Sequence, residues 1–233
     1  MMAWRRSCLA IALLLAGGSA RAADPKLAPG RDPGGVAVAV LADGFDTTRP
    51  DVALVLARDG EGEAIAWDAV DGDHQPYARE GAGTAGLLAA VAAGGVRVVP
   101  VRVATGDAAS LAKGVAFAQS TPARILVVDF SDQDRRGLDI MVAAAQRFVA
   151  VLFVVSVPGV TAEETKAVDG TVNLVLLDSK NNAQAAGRVV AVALGCSRGD
   201  LSGVTGAELK RALLRRFNTQ SFAACEPEAA QPQ

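Results

Sequence analysis

Residues 96–103 read VRVVPVRV and residues 124–130 read RILVVDF. Both are nearly continuous runs of Val, Ile and Leu, without the in–out alternation of a sheet that has one wet face. That is the pattern of strands buried on both faces, typical of parallel sheets. Working outward, the apolar runs predict further strands at 36–42, 52–57, 63–67, 151–156 and 172–177. Helical periodicity predicts helices at 83–93, 108–119, 137–148, 183–195 and 206–217. Strands alternating with helices mean βαβ units with right-handed crossovers. The expected fold is α/β, a three-layer sandwich around a mostly parallel sheet. Composition agrees: 51% of residues are apolar but only 4% aromatic. The core must therefore be built from Val, Ala and Leu.

The first 23 residues stand apart. Arg5 and Arg6 precede the apolar run LAIALLLAGG, and Ser19-Ala20-Arg21-Ala22-Ala23 supplies an A-x-A pattern. Together these read as a signal peptide (1–23) whose apolar run is too short for a stable bilayer anchor. The expectation is a periplasmic or secreted protein with no membrane span after cleavage. The general secretory route is the expected one, with Arg5-Arg6-Ser7-Cys8-Leu9 a poor twin-arginine match. Residues 24–35, rich in Pro and Gly, read as a linker or leader. The tail, 218–233, is polar and rich in small residues, and is expected to be mobile beyond Cys225.

Removing Arg5, Arg6 and Arg21 from the 23 basic residues leaves 20, against 25 acidic. A mildly acidic chain lacks the clustered cations that phosphate backbones require, so nucleic acid is not an expected partner. Two cysteines lie beyond the leader, Cys196 and Cys225. In an oxidising compartment two cysteines pair, and closing a loop of this length stabilises by roughly 3–4 kcal/mol on the chain-entropy model.

Two further stretches carry chemistry, VAVLADGFDTTRPDV at 38–52 and DGDHQPYAREGAGTAG at 71–86. They resemble the opening motifs of the subtilisin-like serine peptidases. In that family the first motif carries the Asp that orients the catalytic His. Here Ala42 stands at that Asp, while Gly44, Asp46, Pro50 and Asp51 match. The second family motif is G-H-G-T-H, whose first His is the general base. Here it reads Gly81-Ala82-Gly83-Thr84-Ala85, with Ala82 at the base. Trp67–Asp73 resembles the W-D-F-V-D-G-D stretch, and Val98–Val103 the L-L-P-V-R-V strand. Val154–Gly159 resembles the strand leading to the oxyanion Asn, with Gly159 at the Asn. Asn181–Val189 is similar to the nucleophile helix, with Ala183 at the Ser. The long excursion that precedes that helix in the family is reduced to four residues between Asp178 and Ala183. The resemblance implies a trimmed subtilisin-like α/β domain over 36–217.

Each vacated position has a physical job. The Ser becomes nucleophilic only when His takes its proton, the Asp fixes the His tautomer, and the oxyanion donor stabilises developing charge. Losing such a triad costs on the order of a millionfold in turnover. Losing an oxyanion donor costs roughly a further 10²–10³. Three alanines and a glycine perform none of these tasks. The resemblance therefore implies a pseudopeptidase, a domain that binds or scaffolds a polypeptide partner. The family holds peptides as an added strand, and 106–110 and 131–135 would flank such a groove.

Other residues compete for the role of site. Asp43, Asp129 and Asp178 each end a predicted strand, at the edge where ligands bind in open α/β sheets. Converging carboxylates there could hold Ca²⁺ or Mg²⁺, which makes a metal- or small-ligand-binding protein or hydrolase the alternative. The plainer reading is that these acids start turns and cap helices. Asp71 and Asp73 admit the same two readings. His74, the one histidine, is expected in an exposed loop rather than as a relocated base. GAGTAG at 81–86 is not placed after the first strand as a dinucleotide-binding turn would be.

Overall fold

The computed structural model describes residues 24–92, 94–179, 187 and 204–218. The chain runs β1 (Val36–Ala42), α1 (Pro50–Ala53), β2 (Trp67–Asp68), α2 (Gly83–Val91), β3 (Val96–Arg102) and α3 (Ala108–Gln119). It continues through β4 (Ile125–Asp129), a 3-10 turn (Asp132–Asp134), α4 (Gly137–Arg147), β5 (Leu152–Val157), α5 (Ala162–Val168) and β6 (Leu174–Asp178) to α6 (Gly206–Asn218). The strands form one six-stranded sheet in the order β2-β3-β1-β4-β5-β6. Every strand pairing in it is parallel.

Period-two alternation along each strand divides the core. On β1, Ala39 and Leu41 join Leu111 of α3, Met141 of α4 and Val168 of α5 on one face. Val38 and Val40 join Val52 of α1, Leu87 of α2 and Leu209 of α6 on the other. The result is the three-layer α/β sandwich that the buried runs predict. Burying a Val or Leu side chain stabilises by roughly 1.5–3 kcal/mol, so strands that bury both faces hold together without aromatic residues. Pro100, inside β3, is tolerated for a local reason. Val98 donates its N–H to Val55 O on the outer side of β3. Pro100 faces that same side, between the isolated bridge at Leu56 and β2 at Trp67. Its missing N–H falls in a gap of the ladder.

Three expectations need correction. Residues 52–57 are not a strand: Pro50 sits in the first turn of α1, where its missing N–H costs nothing, and only Leu56 makes a bridge, to Val98. The strand expected at 63–67 shrinks to Trp67–Asp68, because Ala64 instead bridges antiparallel to Arg58. A helix at 162–168 was not predicted, although its signal is present: Thr161 and Glu164 form a complete capping box. Of the helix expected at 183–195, Gly187 alone is described, and it is helical.

The leader is docked against the domain. The buried Arg58 guanidinium donates to Ala28 O and Gly62 O at 2.9 Å and to Ala53 O at 3.2 Å. Asp32 accepts from the backbone N–H groups of Gly34 and Arg58 and from Arg97 at 2.7 Å. Burial pushes the Asp32 carboxyl up, but those donors together outweigh it and hold the group below its ordinary value. A depressed carboxyl stabilises above its unfolded pKa and loses that stabilisation as pH falls through the folded value. Asp32→Asn is therefore expected to cost about 1 kcal/mol at pH 7 and to converge on wild type in acid. Urea melts at pH 7 and near pH 3 would check this; an equal penalty at both would contradict the charge-based account.

Candidate functional site

The sheet order reverses at β1: the chain builds toward β2 on one side, then crosses to β4 on the other. At such a switch point the loops leave in opposite directions and open a crevice at the carboxyl ends of the strands. A cleft of about 590 Å³ lies there. Ala42 ends β1, Ala82 precedes α2, and both line the cleft with Asp43, Gly86, Asp129 and Ser179.

The glycines that match the two motifs hold the walls. Gly44 adopts φ 144° against Ala78, and a Cβ on Gly81 would meet Gly44 O at 2.2 Å. A Cβ on Gly83 would lie 2.6 Å from both the Ala42 Cβ and Gly44 O, and 2.7 Å from the Phe45 ring. Asp46 N–H donates to Thr84 Oγ1 at 2.7 Å, and Phe45 exchanges backbone hydrogen bonds with Pro76 and Ala78. The loop after β1 and the loop before α2 thus interlock through residues that match the family motifs. Ala42 and Ala82 sit between them with bare methyl groups.

The acids are engaged locally. Asp43 accepts the Ala82 N–H at 2.9 Å, serving the start of α2. Asp129 accepts from the buried Ser156 hydroxyl. Asp178 accepts the Gly159 N–H at 2.8 Å. Asp43 and Asp129 come together in the cleft, whereas Asp178 is not among its lining residues. Among the described residues no group of three or more His, Cys, Asp or Glu is arranged to hold a metal ion. Asp73 accepts the Gln75 N–H. Asp71 pairs with Arg102, which also bonds the fully buried Asp68 at 2.7 Å. Burial works against the charged Arg102, but the two carboxylates outweigh it and raise its pKa. The Trp67–Asp73 stretch is thereby tied to the end of β3.

At the position the resemblance gives to the oxyanion donor, Gly159 adopts φ 61°. Its N–H is spent on Asp178, and its carbonyl accepts from Arg135 at 3.1 Å. Arg135 also bonds Pro158 O, Asp132 and Glu164. His74 lies away from the cleft: its Nδ1 meets Ala66 O at 2.9 Å and its ring packs edge-on against Trp67 at 5.0 Å. No histidine lines the cleft among the described residues.

Two features escaped the sequence. Residues 132–134 form a 3-10 turn. Asp134 accepts from both Ser131 Oγ and Thr105 Oγ1, the latter at 3.0 Å, tying the loop after β3 to the loop after β4. The groove expected between 106–110 and 131–135 is therefore bridged. No periodicity signals a tie between side chains 29 residues apart. Ala183 lies outside the described residues, as do Cys196 and Cys225. Gly187, four positions past Ala183, abuts α2: a Cβ on it would stand 2.6 Å from Gly86 O.

What the fold and cleft define is a doubly wound parallel α/β domain with an acid-lined crevice at its switch point. No family model and no curated protein matches the chain. Among solved structures, the chain is similar to a cold-adapted subtilisin-like serine proteinase, at 16% sequence identity and a TM-score of 0.47, over 81% of this chain and 86% of that one. Among the described residues no helix is long and apolar enough to cross a membrane.

Proposed function

We propose that this is an exported, non-catalytic domain of subtilisin-like type, which binds a polypeptide at the switch-point cleft without cleaving it. The observation that carries the reading is the meeting of Ala42 and Ala82 in one cleft, walled by the glycines of their own motifs. The two positions are distant in sequence, and they are those where the family has its Asp and His. A strand added between the loops after β3 and β4 would have to break the Thr105–Asp134 tie. The cleft therefore takes a protruding side chain or chain end of the partner. Asp43, Asp129, Asp132 and Asp134 line it, and no basic side chain does so among the described residues. A Lys or Arg of the partner is the chemistry that fits.

Gly86 offers the test. Among the described residues a Cβ there meets Asp129 Oδ2 alone, at 3.7 Å, so Gly86→Gln fills the cleft without displacing their backbone. Fluorescent peptides containing Lys or Arg should bind wild type and stay intact by mass spectrometry. Gly86→Gln should weaken them at least about tenfold, or ~1.4 kcal/mol. Equal binding to both proteins, or cleavage of the peptide, would defeat the proposal.

A further inference from the structure

We propose that a second cavity, at the β2 edge of the sheet, is a binding site for an organic ammonium ion with an apolar body. It holds about 760 Å³ and lies between leader residues 26–29, the 59–66 turn, the 74–75 loop and Phe117 of α3. That volume falls in the range of small-molecule sites, which are mostly apolar with a few placed polar groups.

The walls are set before any ligand arrives. Trp67 stacks on Phe117 with centroids 5.6 Å apart and takes the His74 ring edge-on from another side. The leader wall is fixed by the Arg58 guanidinium on Ala28 O and by Gly30 N–H on Gly62 O at 2.9 Å. The 59–63 turn is held by Asp59 Oδ1, which accepts the N–H groups of Glu61 and Glu63 at 2.9 Å.

The cavity has donors in Lys26 and the Gln75 amide, but its side chains also bring two carboxylates and two uncharged acceptors. His74 Nδ1 faces a carbonyl, Ala66 O, and so must carry the proton. In the neutral ring that leaves Nε2 as an acceptor. Gln75 Oε1 is buried and has no hydrogen-bond partner among the described residues. Asp59 and Glu63 add two carboxylates against one cation, Lys26, and all three are exposed at the cavity mouth. A buried acceptor without a donor is costly, and an ammonium group brings three donors and a positive charge. Leu27, Pro29, Ile65 and Phe117 provide the apolar surface for the rest of the ligand. A carboxylate or phosphate on the same body would face like charge.

The chain's single histidine makes the test site-specific. The protein is titrated with phenethylamine while the His74 ring protons are followed by NMR, with phenylacetate as the body of opposite charge. Phenethylamine is expected to shift them saturably, and phenylacetate is not. Glu63→Gln, which leaves the backbone donor to Asp59 in place, should weaken phenethylamine about two- to fivefold through loss of one exposed charge contact. Gln75→Leu, of similar volume, should weaken it several-fold while thermal stability holds. No saturable shift with phenethylamine, an equal response to phenylacetate, or unchanged affinity in both variants would overturn the proposal.

Discussion

The purified protein is expected to give no labelling with a serine-directed fluorophosphonate and no hydrolysis of peptide or ester substrates. Attack on such a probe needs an activated oxygen and a base beside it. The resemblance puts Ala183 at the nucleophile, and a methyl group has no oxygen. The cleft offers Ser179 as an alternative hydroxyl, since it is buried and lines the wall. Among the described residues no histidine lies in the cleft to take its proton: the resemblance gives the base position to Ala82, and His74 is held on Ala66 O beside Trp67. Nor does the loop after β5 offer a donor to an oxyanion from Gly159, whose N–H is committed to Asp178. The comparison that decides is wild type beside Ser179→Ala and His74→Ala, with an active serine peptidase as control. Labelling of wild type that vanishes in both variants would reveal a relocated dyad and end the non-catalytic reading.

How far the chain discloses its structure depends on the range of the interaction. The sheet is legible because VRVVPVRV and RILVVDF bury both faces, and burial is a property of the run itself. The stretch DVALVLAR is ambiguous because buried Val52 and Leu56 fit a helix, while exposed Leu54 between them fits strand alternation equally well. Pro50 at its head decides for the helix. The cleft is legible only through motif order, which predicts that Ala42 and Ala82 meet. Its electrostatics are not. That Asp43 serves the Ala82 N–H, that Asp134 bridges to Thr105 and that Arg135 gathers Pro158, Gly159 and Glu164 are long-range side-chain facts. Sequence spacing carries no trace of them. Trp67–Asp73 lies between these cases: the motif marks it, but only the buried Asp68–Arg102 pair explains its acids.

Gly83→Ala is expected to destabilise the protein by about 2–3 kcal/mol, lowering Tm by roughly 5–10 °C at this size. The neighbours of the new methyl cannot withdraw. Ala42 is fixed in β1 by its pairing with Arg102 and by the Val103 N–H on its carbonyl at 2.7 Å. Gly44 O is backbone, and the Phe45 ring is fully buried. The helical preference for Ala over Gly, at most about 1 kcal/mol, acts the other way and is too small to win. Two substitutions on the same short stretch separate this steric account from a general fragility of α2. Gly86→Ala should leave stability unchanged or raise it by up to ~1 kcal/mol, because among the described residues its Cβ meets Asp129 Oδ2 alone, at 3.7 Å. Ala82→His, at an exposed position whose N–H still serves Asp43, should stay within about 0.5 kcal/mol. Thermal melts of the three variants give the pattern directly. Gly83→Ala melting within a degree of wild type would show that the interlock is not what holds the cleft walls. The expected pattern sets the two neighbours apart by packing: Gly83 fills a place that no side chain can share, whereas Ala82 is exposed and can take a larger side chain.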